Sequence, residues 1–230
     1  MPGASDPIAA VIARMEAVVS ELPVADGVSR FNHLYLEETR SVDTAAQTPG
    51  FEDASFITAL DVGFAGLYFD ALDASDAGGL PSRCWAPLFA VRGDMRIAPI
   101  QFALAGMNAH INHDLPLALV STCEARGVEV DRDSAQYRDY LKINDTIAAV
   151  EARVKQEFLT GLIGVADQVL GRVDDVVAMW SIVEARNAAW TNAEMLWALR
   201  AHPDLTAAFE DALSGSVGFA SRGLLIPTLL

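Results

Sequence analysis

Apolar residues recur at helical spacing through almost the whole chain, and this periodicity restricts the fold more than any other feature. In the first segment, Ile8, Val11, Ile12 and Met15 lie three or four positions apart, so they share one face of a helix. We find no convincing alternation of apolar and polar residues, the pattern of a half-buried strand. The sequence therefore predicts an all-α fold, a single-domain bundle of about seven or eight helices over residues 1–230.

Capping and helix-breaking residues set the expected boundaries of these helices. Proline or glycine follows several of the periodic segments, and Ser or Asp precedes others, as at natural helix ends. Residues 43–52 are predicted to form a loop, 161–171 a looser apolar stretch, and the Gly/Ser-rich tail 215–230 is assigned no helix. The predicted helices are 8–22, 28–42, 53–74, 82–92, 95–126, 134–160, 173–200 and 204–214.

The helix predicted over residues 95–126 is the central one, because it is apolar on both sides of a short polar stretch. Pro116 lies within it, and a proline inside a helix removes one backbone bond and kinks the rod. Polar groups in such apolar surroundings cost free energy unless they find partners. The stretch is therefore either a satisfied structural network or a functional site. Its polar residues are Asn108, His110, Asn112, His113 and Asp114.

His110 and Asp114 are four residues apart and so share one face of the central helix. A carboxylate at this spacing can accept a proton from the imidazole, fix its tautomer and raise its basicity. We expect His110 to act as the general acid/base, with Asp114 as its orienting partner. Asn108 and Asn112 share another face, and with Arg186 they are expected to hold substrate oxygens or a developing negative charge. His113 points between the two faces and is assigned no role.

Arg186 shares a face of its helix with Trp190, which directs its guanidinium towards the core. A buried arginine usually pairs with a carboxylate. The available partners are Asp61, Asp114 and Glu151. Each of these pairs is more often a structural ion pair than a catalytic group.

Two other interpretations of the polar stretch remain open. His110 and Asp114 could bind a divalent metal ion, which would recruit Asp61 and Glu151 in a metal-dependent hydrolase or oxygenase. No second pair of ligand residues at helical spacing supports this, so the primary prediction includes no cofactor. Alternatively, the polar side chains bond loop backbones and helix ends in a non-catalytic ligand-binding or scaffold protein.

Composition narrows the partners further. The formal net charge is -15, with 31 acidic and 16 basic residues, which argues against nucleic acid and anionic membranes as partners. No signal peptide, uninterrupted apolar span or phosphate-binding Gly-rich loop is visible, so a cytoplasmic protein is expected. Cys84 and Cys123 lie outside metal-type spacings and are expected to be buried free thiols.

The leading hypothesis is an enzyme that isomerises, cyclises or hydrolyses a small, largely apolar metabolite. Whether the protein forms a homo-oligomer is left open.

The central stretch also carries a resemblance. The string Gly106-Met107-Asn108-Ala109-His110-Ile111-Asn112, followed by Asp114-Leu115-Pro116, resembles the signature of a widespread bacterial family of unknown function. Residues 31–35, Phe-Asn-His-Leu-Tyr, and the stretch from Arg186 to Trp190 are similar to secondary landmarks of that family. The resemblance implies an all-helical domain without an assigned activity, in which the position of His113 is not fixed.

A fainter similarity links the fragment His-x3-Asp-x-Pro to a zinc-ligand helix of the phospholipase C and P1 nuclease group. Ala118 stands where a further ligand histidine would be expected, and the other histidines of that group are missing. This departure argues against a trinuclear zinc hydrolase.

Overall fold

The structure is a computed structural model that describes residues 6–161 and 181–228, without the side chains at 151, 154, 155 and 157–161. All regular secondary structure in these ranges is helical, which confirms the all-α prediction. A π-helical turn, His110–Asp114, joins α5 to α6 into one central helix, so the described part has eight helices. The elements are α1 (Pro7–Glu21), α2 (Gly27–Ala46), α3 (Ala54–Asp76), α4 (Ala86–Val91), α5 (Pro99–Ala109), α6 (Leu115–Arg126), α7 (Ala135–Gly161), α8 (Ile182–Leu199) and α9 (Pro203–Leu224).

The central helix is the axis of the bundle. Helices α2 and α9 pack on α5, whereas α3 and α8 pack on α6. Nearly every residue from Ile100 to Ala109 is buried, so this helix is apolar all round, as expected for a helix in a protein core. Gly106 lets α2 approach closely, because a Cβ atom there would overlap the ring of Phe31.

Four boundaries differ from the sequence prediction by about four residues or more. The central helix begins at Pro99 rather than at residue 95, because residues 95–97 form a turn and a bend. Helix α2 continues to Ala46, and α4 is shorter than expected because residues 83–85 form turns. Helix α9 continues through the tail to Leu224, although this stretch is rich in glycine and serine. Small residues suit this helix because it lies close to the turn before α4, where a Cβ atom at Gly218 would overlap the carbonyl of Arg83. The predicted helix 173–200 is described only from Ile182, and its earlier part lies outside the described residues.

Among the described helices, only α3 is long and apolar enough to cross a membrane by length and composition. The core helix of a soluble protein meets the same criteria, and 44% of the apolar window of α3 is buried in the bundle. Its buried residues include Phe56, Leu60, Phe64 and Tyr68, which face the protein core.

Candidate functional site

The polar stretch of the central helix forms a turn of π-helix. The N–H of Leu115 bonds to the carbonyl of His110, five residues back. Pro116 gives the physical reason: it has no N–H for the α-helical bond to Asn112, and in an α-helix its ring would clash with that carbonyl. The irregularity predicted at Pro116 is thus a wider turn immediately before it, at the position of the candidate site residues.

Asp114 is the centre of a buried hydrogen-bond network. Its Oδ2 accepts bonds from Nδ1 of His110 at 3.1 Å and from Nε1 of Trp85 at 2.9 Å. Its Oδ1 accepts a bond from Nδ1 of His113 at 2.8 Å. Both oxygens are therefore satisfied, although Asp114 is only 3% exposed. The structure brings the predicted pair His110 and Asp114 together, and adds Trp85 and His113 to it. We call these four residues the Asp114 network.

The protonation states of His110 and Asp114 follow from burial and these bonds. Burial alone would raise the pKa of Asp114, but hydrogen bonds from His110 and His113 outweigh burial and lower it. Burial lowers the pKa of His110, and the hydrogen bond and negative charge of Asp114 raise it by a smaller amount, so the pKa stays below its ordinary value. At neutral pH, His110 is therefore an uncharged imidazole with its proton on Nδ1, which leaves a lone pair on Nε2.

Aromatic rings enclose His110. The ring of Phe64 stacks on the imidazole at a centroid distance of 3.5 Å, and Tyr35 meets it edge-on at 4.4 Å. His110 is fully buried, and its Nε2 has no hydrogen-bond partner among the described residues. A buried acceptor without a partner costs about 1–3 kcal/mol and calls for an explanation, such as a catalytic role or a bound water.

His113 is a buried polar neighbour of Asp114 to which the sequence interpretation assigned no role. Burial alone would lower its pKa, but bonds to Asp114 and Cys84 outweigh burial and raise the pKa to about 10. His113 is 9% exposed and Cys84 is fully buried. The amide N–H of Cys84 bonds to Ser214 Oγ at 3.2 Å, which ties this turn to α9.

Asn108 and Asn112 lie on the side of the central helix that faces α9. The amide of Asn108 donates to the carbonyl of Val217 at 3.0 Å and to Ser221 Oγ at 2.9 Å. Asn112 in turn donates to Oδ1 of Asn108 at 3.0 Å. The two asparagines thus contact each other, as their spacing indicates, and they tie the central helix to α9. Their role as substrate ligands stays a prediction.

A partly open pocket of about 50 Å³ lies between α2, α3, α6, α7 and α8. Its volume is enough for a few water molecules and is about a third of the roughly 150 Å³ that accommodates benzene, so a larger ligand would have to extend through its open side. His110 does not line it, but Tyr35 and Phe64 do, and both rings also contact His110. We call it the Asp61 pocket, and its lining residues are Tyr35, Glu38, Thr39, Val42, Ile57, Leu60, Asp61, Phe64, Leu115, Ile143, Ile147 and Arg186.

Asp61 places an acid in this pocket. The residue is partly exposed, but its Oδ2 is buried without a hydrogen-bond partner among the described residues. Burial raises the pKa of Asp61 to about 7, and the positive charge of Arg186 opposes that rise without cancelling it. A carboxyl group with this pKa changes its charge near neutral pH, as a general acid or base does.

Arg186 faces inward, as the sequence predicts, and is 6% exposed. Its Nε donates to Oδ1 of Asn144 at 2.8 Å, and its Nη2 donates to the carbonyl of Tyr140 at 2.9 Å. The guanidinium also lies over the Tyr140 ring, 3.9 Å from its centroid. The partners in these bonds are an amide and a carbonyl rather than the carboxylates expected from the sequence.

Two hydroxyl groups complete the polar lining of the Asp61 pocket. The hydroxyls of Tyr35 and Thr39 are buried near each other, and neither has a hydrogen bond of regular geometry among the described residues. Burial, followed by the negative charges of Asp61 and Glu38, raises the pKa of Tyr35, so its hydroxyl stays protonated. Two hydroxyls and one carboxyl group with unused hydrogen-bonding capacity therefore belong to residues that line the same small space.

The metal set proposed from the sequence is not brought together as one group. Within the described residues, Asp61 does not join His110 and Asp114 in a cluster of ligand atoms, and the side chain of Glu151 lies outside them. The one cluster of three ligand-type residues in the described part is instead Cys84, His113 and Asp114. Sequence reasoning missed this cluster because Cys84 lies on a distant turn, outside any local ligand spacing.

The arrangement defines a class of protein: an all-helical bundle with a polar π turn in its core and a small pocket beside it. Comparison with known families places the chain more narrowly. Residues 8–227 match the model of "Family of unknown function (DUF5995)", and the chain belongs to that family. No curated protein and no solved structure matches the chain.

Proposed function

We propose that this protein is an enzyme that binds a small, largely apolar molecule in the Asp61 pocket and acts on it by general acid/base catalysis. The observation that carries the proposal is the convergence of unpartnered polar atoms on one cavity. Among the described residues, Oδ2 of Asp61 and the hydroxyls of Tyr35 and Thr39 have no regular hydrogen bonds, and all three residues line the same pocket. Unpaired buried groups are costly, so their grouping favours a site whose ligand completes them.

The lining of the pocket supports a particular kind of ligand. Half of the twelve lining residues are aliphatic, and these suit an apolar body. Arg186 contributes a positive charge at the same site, which suits a carboxylate or a carbonyl oxygen that gains negative charge. The chain's own charge of -15 also fits a small-molecule partner better than nucleic acid.

Two groups are placed to move protons. Asp61 lines the pocket directly, and its pKa of about 7 lets it donate or accept a proton near neutral pH. His110 presents a free Nε2 lone pair behind the rings of Tyr35 and Phe64, with Asp114 fixing the opposite nitrogen. Asp61 would act on the ligand directly. His110 would act after the ring of Tyr35 or Phe64 rotates away from its Nε2.

A screen in heavy water tests this proposal and does not require the substrate to be identified first. Ligand-observed NMR with small carbonyl and carboxylic compounds identifies those that bind, and their spectra in D₂O then report C–H exchange and new products. We expect at least one compound to bind and to exchange or react. Asp61→Asn should slow that reaction by about 100-fold or more, because it removes the acid/base group.

The matched control is Asp70→Asn, which changes an exposed aspartate on the same helix. It should react at the wild-type rate. Binding without exchange or product in the wild-type protein would instead support a non-catalytic ligand-binding protein. Equal rates for Asp61→Asn and the wild-type protein would remove Asp61 from the mechanism.

A further inference from the structure

Cys84, His113 and Asp114 form a group outside the Asp61 pocket that the acid/base chemistry does not use in full. Their ligand-type atoms lie within 4.8 Å of one another, and all three residues are at most 9% exposed. A thiolate, an imidazole and a carboxylate form a donor set that suits zinc and chemically similar divalent ions. We propose that these three side chains bind one thiophilic divalent cation such as Zn²⁺.

The hydrogen bonds of Asp114 orient its carboxylate for binding a cation. Oδ2 of Asp114 is held by His110 and Trp85, which leaves Oδ1 pointing at His113. Metal-binding carboxylates in proteins are commonly fixed in this way through their other oxygen. Asp114 is therefore prepared to bind a cation through one oxygen without rearranging the rest of its network.

The thiol side of the group is also held in place. Cys84 is anchored through its amide to Ser214, and its Sγ lies 3.1 Å from the hydroxyl of Ser82. Ser82 is exposed, so its hydroxyl or a water molecule can complete the fourth position of a tetrahedral site. Two rigid elements, the turn before α4 and the π turn, thus provide the ligands.

Charge balance favours the exchange of protons for a metal ion at this buried place. Metal ions bind cysteine as the thiolate, aspartate as the carboxylate and histidine as the neutral imidazole. A divalent cation held by Cys84, His113 and Asp114 in these forms gives a net charge of zero, so the binding does not bury an uncompensated charge.

His113 and Asp114 are 2.8 Å apart at their nearest atoms, which is a hydrogen-bond distance. Two ligands of one zinc ion, each about 2.0–2.1 Å from it, lie somewhat further apart than this. Binding therefore requires the imidazole to move outward slightly, which the partly exposed position of His113 allows. Because metal ligands bind in their deprotonated forms, affinity should increase as the pH rises.

Cobalt reconstitution of the full-length protein is the sharpest test, because a cobalt–thiolate bond gives a charge-transfer absorption band in the near ultraviolet. After chelator treatment and buffer exchange, Co²⁺ is added and then displaced by Zn²⁺. We expect one equivalent to bind, with a thiolate band that zinc abolishes. Cys84→Ser should lose the band, and His113→Gln should weaken binding by roughly tenfold or more.

Cys123→Ser is the matched control, because Cys123 is also a fully buried free thiol but lies on α6 outside the group. It should retain the band. Absence of the band in the wild-type protein, or its survival in Cys84→Ser, would overturn the proposal, and the first result does not depend on any variant folding. Binding of several equivalents without the band would mean surface binding only and would also overturn it. The D₂O screen with Asp61→Asn leaves these ligands intact, so the two proposals fail separately.

Discussion

The Asp114 network contains His110, and the Asp61 pocket lies beside the ring of that histidine. The two regions differ in how the hydrogen bonds of their carboxyl groups are satisfied. Asp114 accepts three hydrogen bonds inside the buried core. Asp61 has a buried oxygen without a hydrogen-bond partner among the described residues, and its pKa is raised rather than lowered. A buried carboxylate that makes all its hydrogen bonds stabilises the fold. A buried carboxylate that lacks hydrogen bonds destabilises the ligand-free protein and is available to a ligand. The difference assigns architecture, including the proposed cation site, to the first region, and binding of the organic ligand to the second.

Among the substitutions that test this difference, the largest loss of stability is expected at Asp114. Asp114→Asn keeps the shape of the side chain but removes the charge and turns one acceptor into a donor that faces the histidines and Trp85. We expect the free energy of unfolding to fall by about 3 kcal/mol or more, as when one partner of a buried ionic network is removed. Urea denaturation measures it. Asp133→Asn, at an exposed position, should have almost no effect, and a comparable loss there would contradict the assignment.

Trp85→Phe tests a single bond of the Asp114 network. It removes the Nε1 donor to Asp114 and should destabilise the protein by about 2 kcal/mol, because the lost bond is to a charged acceptor. Trp190→Phe is the matched control: Trp190 is equally buried, but its Nε1 has no hydrogen-bond partner among the described residues. Chemical denaturation of both variants should therefore show a smaller loss at Trp190, and equal losses would show that the bond to Asp114 contributes nothing.

Asp61→Asn should stabilise the folded protein rather than destabilise it. The pKa of Asp61 is about 7 in the folded protein against an ordinary 3.8, so its contribution to stability is complete below about pH 4 and is lost as the pH rises to 7. An asparagine does not titrate. We expect the variant to be more stable than the wild-type protein at pH 8, by about 1–2 kcal/mol, and the difference to shrink as the pH falls towards 4. A pH series of urea curves measures this, and a variant that is less stable at every pH would show that Asp61 is already satisfied.

Asn108→Ala has the smallest expected effect and separates architecture from substrate binding. It removes the bonds to Val217 and Ser221, which should lower the free energy of unfolding by about 1 kcal/mol. Affinity for any ligand found by the NMR screen should not change. A loss of affinity at unchanged stability would instead support the role predicted from the sequence, in which Asn108 and Asn112 contact the substrate.

Much of the fold could be predicted from the sequence, because apolar periodicity and end signals are local. Helix α1 begins at Pro7 and α3 ends at Asp76, each within about two residues of its prediction. The contact of His110 with Asp114 also follows from a spacing of four residues. The extension of α9 could not be predicted in this way, since its glycines and serines are tolerated only because of close packing against the turn at Arg83.

The candidate site was harder to predict for a related reason. Trp85 lies 29 residues from Asp114 in the chain, so no local pattern relates the two. The π turn also changes which side chains meet, and it brings His113 onto the same carboxylate as His110. Pro116 is the signal in the sequence that could have indicated this turn. The Asp61 pocket depends on five helices, and the only sequence signals for it were an aspartate and an arginine on otherwise apolar helix faces.

The protonation of Asp61 is the most direct test of the assignment of binding to its pocket, because it measures the incomplete carboxyl group itself. In protein labelled with ¹³C at the aspartate carboxyl carbon, the resonance of Asp61 is assigned by its absence in Asp61→Asn and followed against pH. We expect a titration midpoint near pH 7 for this one resonance. A midpoint near the ordinary value of 3.8 would show that the carboxylate is satisfied in the folded protein, and would contradict the assignment.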